Sequence, residues 1–95
     1  MIKVIVVDDE RFVRMGIVGE TDWASLGCEV VGEAENGLDA LELVHEKNPD
    51  LMICDIRMPK MNGLEMLKKL REEKNPVQVI FLTAYSEFSY AREAL

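Results

Sequence analysis

The run Val4-Ile5-Val6-Val7-Asp8-Asp9 decides how this chain reads: four apolar residues without alternation, stopped by two acids. Two other runs share that character. Leu51-Met52-Ile53-Cys54 is followed by Asp55, and Val79-Ile80-Phe81-Leu82 is followed by Thr83. Continuous apolar runs rich in β-branched residues suit strands covered on both faces, the situation found in parallel sheets. A weaker run, Cys28 to Gly32, reads as a strand nearer an edge.

Helical patterns fill the intervals. From Leu38 to Lys47, Leu38, Leu41 and Val44 form a stripe; Asn36 stands before it as an N-cap, with Asp39 placed as in a capping box. From Leu64 to Lys74, the stripe is Leu64, Leu67 and Leu70, with Asn62 and Glu65 repeating the cap. Arg11 to about Val18 reads as a first helix with Phe12, Val13 and Ile17 inward. Ser86 to Leu95 opens a last one, with Phe88, Ala91 and Leu95 on one face. Strands alternating with helices over short connections imply right-handed βαβ crossovers, hence an α/β domain with helices on both faces of a parallel sheet.

Composition narrows the function. The chain has 95 residues, 18 of them Asp or Glu against 11 Lys or Arg, for a formal net charge of -7, and 48% are hydrophobic. That is one domain, residues 1–95, with enough apolar content for a core. The acidic balance disfavours a nucleic-acid groove or an anionic lipid surface. No apolar run approaches the roughly 20 residues of a membrane span. Cys28 and Cys54 are too sparse for a disulfide framework and read as buried thiols of a reduced cytoplasm.

The chemistry collects at the strand ends. In open parallel sheets, ligands bind outside the carboxyl ends of the strands, where strand order reverses. Such a fold would bring Asp8, Asp9, Asp55 and Thr83 to one edge. Clustered carboxylates need a cation or a proton between them. An all-oxygen set selects a hard divalent ion, here expected to be Mg²⁺, which favours phosphate oxygens as further ligands. A carboxylate can then serve as nucleophile, giving an aspartyl phosphate. Other candidates read as structural: His45 as a solvated or capping residue, Trp23 as packing, and Met58, Met61 and Met66 as adaptable fillers.

Val4 to Glu10, then Asp55-Ile56-Arg57-Met58-Pro59-Lys60-Met61-Asn62-Gly63, then Thr83-Ala84 resemble the receiver domain of two-component response regulators, along the whole chain. The resemblance implies a flavodoxin-like, doubly wound sheet of the chemotaxis-receiver type, with strand order 2-1-3-4-5. It implies Asp55 as phosphoacceptor, Asp9 as direct Mg²⁺ ligand and Asp8 as the acid holding metal-bound water. Arg57 matches the position whose main-chain carbonyl completes the metal site. Thr83 matches the switch hydroxyl, and Ala84 the small residue whose main chain helps bind the phosphoryl group. The implied partner is a sensor histidine kinase.

Arg11 to Trp23, Gly32 to Gly37 and Leu82 to Phe88 are similar to receivers that precede an AraC-type DNA-binding domain; DNA would be met only through such a domain, which this chain does not contain. The family pattern continues with a fifth strand ending in Lys-Pro and a fifth helix, whereas the sequence stops at Leu95, and neither Lys3 nor Lys60 matches that lysine. The expectation is a receiver lacking those elements, with an exposed fourth strand that invites a homodimer or strand-swapped oligomer. The rivals are an interaction module that is not phosphorylated and an aspartyl-nucleophile phosphatase. Against the latter, Arg57 stands where a second acid is usual.

Overall fold

The computed structural model describes residues 1–82. It contains β1 (Ile2–Val7), α1 (Arg11–Glu20), a 3₁₀ turn (Ala24–Leu26), β2 (Cys28–Ala34), α2 (Gly37–Lys47), β3 (Leu51–Asp55), α3 (Gly63–Glu72) and β4 (Gln78–Leu82). The strands form one sheet in the order β2-β1-β3-β4, every pairing parallel. This is the flavodoxin-like α/β architecture. The chain winds outward from β1 to β2, then crosses back to β3, so strand order reverses between β1 and β3. The expected helix from Ser86 to Leu95 lies outside the described residues.

Burial explains why β1 is central. Val4, Ile5 and Val6 are all 0% exposed, so both faces of the strand are covered, as its unbroken apolar run requires. Ile5 and Val7 join Met52 and Cys54 of β3 in a core closed by Ala40, Leu41 and Val44 of α2 and by Met66 and Leu70 of α3. Val4 and Val6 point the other way, toward α1. Met58 is buried in the same core and Met61 packs against it, which fits their reading as fillers.

The helix caps formed at the expected asparagines, with one difference. Asn62 accepts from the Glu65 amide at 2.8 Å and its own amide donates to the Glu65 carboxylate at 3.0 Å, a complete capping box. Asn36 accepts from the Asp39 amide at 2.9 Å, but Asp39 meets the Asn36 side-chain amide instead of its backbone. Asp is one methylene shorter than Glu, the residue that makes this return bond in a capping box.

Several faces differ from expectation. Phe12 is 85% exposed and Val13 lies at the surface, and α1 has no buried residue. In α2, Leu38 is exposed, while Gly37, Ala40, Leu41 and Val44 turn inward. A strict spacing of three lags behind the 3.6-residue turn, so the true inward face mixes steps of three and four. The same drift puts Met66 and Leu70 of α3 in the core and leaves Leu64 and Leu67 half-buried. β4 is not covered on both faces among the described residues: Val79 and Phe81 pack against the core, whereas Ile80 and Leu82 are exposed.

These burials separate a core leucine from a surface phenylalanine. Leu70→Ala is expected to lower unfolding free energy by about 2–5 kcal/mol, whereas Phe12→Ala should change it by less than about 0.5 kcal/mol. Urea denaturation of both variants, followed by circular dichroism, checks the contrast.

Candidate functional site: an acid pocket at the strand switch

Asp8 and Asp9 follow the last residue of β1, and Asp55 is the last residue of β3. Because β1 and β3 are neighbours with Val7 opposite Cys54, the acids emerge side by side where strand order reverses. One carboxylate oxygen from each of Asp8, Asp9 and Asp55 lies within 4.8 Å of the others. Asp8 is buried, Asp55 half-buried and Asp9 exposed, so the pocket grades from the sheet out to solvent. The set is all oxygen and of one sign. It therefore suits a hard divalent cation and could hold one.

Backbone geometry fixes the two inner acids. The Asp8 amide donates to the Ala34 carbonyl at 3.1 Å, extending the β1–β2 ladder by one rung. Its Oδ1 accepts from the Glu10 amide at 2.8 Å, an Asx turn that starts the chain toward α1. Its carbonyl accepts from Nη1 of Arg14 at 2.6 Å. Asp55 Oδ1 accepts from the Ile56 amide at 2.8 Å, and the Asp55 carbonyl accepts from the Cys54 thiol at 3.0 Å.

The loop after β3 is held tightly. The Gly63 amide donates to the Ile56 carbonyl at 2.7 Å and the Gly37 amide to the Met61 carbonyl at 2.9 Å. A Cβ on Gly63 would sit 2.6 Å from the Asp55 carbonyl oxygen and 2.8 Å from the Phe81 ring. Glycine is required there because α3 starts in contact with the end of β3. Lys60 adopts a positive φ of 67° in this loop, strain that its tethered ends impose. Arg57 is exposed on the loop, two residues after Asp55. Thr83 and Ala84 lie outside the described residues.

Sequence reasoning missed Arg14, whose guanidinium bridges Asp8 and, at 3.1 Å, Glu33 of β2. Its only sequence signal is an Arg within a helix, which says nothing of where the helix faces. His45 is exposed, in keeping with the solvated reading, and its Nε2 meets the Glu73 carboxylate at 2.7 Å. Trp23, half-buried, donates its indole N–H to the Val18 carbonyl in α1.

The chain is thus a doubly wound parallel-sheet domain with three acids at its switch point. The family comparison agrees: the response regulator receiver domain matches residues 4–95, and the chain belongs to that family, the receivers of two-component systems. It is 42% identical over its whole length to the transcriptional regulatory protein YesN of Bacillus subtilis, of which it covers 26%. It is 34% identical to the transcriptional regulatory protein HptR of Staphylococcus aureus, covering 37%. The chain thus spans between 26% and 37% of the length of these curated relatives.

Among solved structures, the receiver domain of AraT, a response regulator from Geobacillus stearothermophilus, superposes with TM-score 0.89 at 44% identity, over 99% of this chain and 74% of that one. A two-component transcriptional regulator AraC from Clostridium phytofermentans superposes with TM-score 0.90 at 27% identity, over 100% and 74%. The likeness to transcriptional regulators that the sequence suggested is thus present in both sets of relatives. Receivers of this kind work as signalling modules that interact with sensor kinases and output domains. No helix among the described residues is long and apolar enough to cross a membrane.

The pocket also acts on its neighbour. Both cysteines are free and buried. Burial, then the charges of Asp55 and Asp8, push the Cys54 thiol from 9.0 up to about 12. A pKa raised in the folded state contributes stability that is fully present below the unfolded value and is lost as pH rises. Stability is therefore expected to fall through the window from pH 9.0 to about 12. Cys54 should resist iodoacetamide in the native chain at pH 8 and react only in denaturant, as peptide mass mapping will read.

Proposed function

We propose that this domain accepts a phosphoryl group on Asp55 from the phosphohistidine of a sensor histidine kinase, in the presence of Mg²⁺, and controls a transcriptional output domain. The observation that carries the reading is the convergence of Asp8, Asp9 and Asp55 within 4.8 Å. In the transfer, a carboxylate oxygen of Asp55 forms the new P–O bond as the P–N bond breaks, and the imidazole departs with the bonding pair. The Ile56 amide fixes the carboxylate's orientation before attack. Asp9, exposed at the mouth, would be the direct metal ligand; Asp8, buried behind it, would act through water, and the Arg57 carbonyl would complete the set. When bound, Mg²⁺ offsets the carboxylate charges and the charge on the phosphoryl oxygens. Thr83 supplies the switch hydroxyl and Ala84 a main-chain contact to the phosphoryl group. Receivers are non-enzymatic modules, and this one is read as a switch rather than a catalyst of turnover.

Incubation with acetyl phosphate and Mg²⁺ is expected to add one phosphoryl group by intact mass. The gain should vanish in Asp55→Asn and with chelator. Beryllium fluoride with Mg²⁺ should shift the Ile56 amide resonance. No response to either reagent would favour a module that only binds partners, and turnover of a generic phosphate ester would favour a phosphatase.

Self-association is the finer expectation for partners. β4 is outermost in the described sheet, and Ile80 and Leu82 are exposed on it. Sedimentation velocity should show a homodimer growing with concentration; a clean monomer at high concentration removes that expectation.

A further inference from the structure

We infer that Arg14 is a positioning residue for the acid pocket: it sets cation affinity by clamping the backbone of Asp8 against β2. The inference rests on the proposed cation role of the three acids. It starts from a register change. Val4 pairs with Val30 but Ile5 pairs with Gly32, so β2 carries one extra residue, Val31, at a bulge. Side chains alternate along a strand, so one added residue exchanges the faces of everything after it. Without the bulge, Glu33 would lie beside Val7, on the face of the α2–α3 core. With it, Glu33 lies beside Val6 on the α1 face, and Ala34 takes the place beside Val7.

Glu33 thereby meets Arg14. The guanidinium donates from Nε to Glu33 Oε1 at 3.1 Å and from Nη1 to the Asp8 carbonyl at 2.6 Å. The Arg14 side chain is 15% exposed and that of Glu33 42%, so the bond to Asp8 is the more shielded end of the bridge. The Arg14 amide also donates to the Glu10 carbonyl, the first helical bond of α1. Residues 8 to 14 therefore form a closed turn: Asp8 Oδ1 to Glu10, Glu10 to Arg14, and Arg14 back to Asp8. The guanidinium reaches Glu33 and Asp8 from two nitrogens held at a fixed separation, a geometry that a single ammonium nitrogen on a flexible stem does not reproduce.

Two effects of Arg14 oppose each other. Its charge repels an incoming cation, while the clamp holds Asp8 and Asp9 facing Asp55. Glu33 pairs with the guanidinium and reduces its field, so positioning dominates. Outer contacts that orient metal ligands commonly alter affinity by about 10–100-fold, and the lower end is expected for a contact through the main chain.

The test is titration of the full chain with Mn²⁺ as probe, by calorimetry and by electron paramagnetic resonance. Thermal melting without metal confirms that each variant is folded. Wild type should bind one ion, and Asp9→Asn should bind it far more weakly. Arg14→Gln and Arg14→Lys should both weaken binding about tenfold, with faster hydrogen exchange at the Glu10 amide in the metal-free state. Unchanged or tighter binding in Arg14→Gln overturns the inference, as does full recovery in Arg14→Lys, which would assign the effect to charge. Should Arg14→Gln fail to fold, Glu33→Gln carries the test: it releases the other anchor, and an unchanged Kd there overturns the inference. If wild type binds no Mn²⁺ at all, the cation role of the three acids fails first and this inference falls with it.

Discussion

Three carboxylates within 4.8 Å of one another is an arrangement that electrostatics alone would scatter. At an effective dielectric of about 20, each close pair of like charges costs on the order of a few kcal/mol. Something must hold the acids in place against that repulsion. Here it is backbone: an extra rung to Ala34, an Asx turn to Glu10, the Arg14 bridge and the Ile56 amide. These bonds fix each acid on its own strand end, and the level register of β1 with β3 then sets the acids side by side. The tension is useful, because a group that relieves it gains affinity from energy already present in the fold.

The sheet makes that tension tolerable. β1 is sealed on both faces, and its register with β3 runs unbroken from Val4 opposite Leu51 to Val7 opposite Cys54. A strand packed in this way has little freedom to swing its end outward. The acids therefore stand on the least deformable part of the domain, while the loops around them carry the local adjustments: positive φ at Lys60, and glycines where helices begin.

Much of this was legible in the chain. Unbroken apolar runs ending in Asp8 and Asp55 marked the strands and the pocket, because neither run contains polar alternation to confuse the period. The asparagine caps were legible because their chemistry is local. What sequence did not disclose depended on angle. Phe12, Val13 and Leu38 fit a helical stripe but face out, since a few residues determine the rotation of a short helix poorly. Arg14 and Glu33 are unremarkable separately. Their meeting requires the bulge at Val31, hinted at only by Gly32 inside the strand, which does not say where the register changes. β4 looked as apolar as β1 yet exposes Ile80 and Leu82, because an apolar run reports what a strand tolerates rather than what covers it.

One contact has a mechanical consequence. Gly63 leaves no room for even a methyl group between the start of α3, the carbonyl of Asp55 and the ring of Phe81. A joint without clearance cannot absorb displacement; it passes it on. A shift of Asp55 therefore reaches the first turn of α3 and the aromatic ring of β4 as one movement. Through the Gly37–Met61 bond it reaches the start of α2 as well. In this domain, tightness of packing at a single hydrogen-sized side chain does the work of a linkage, tying three elements to the position of one carboxylate.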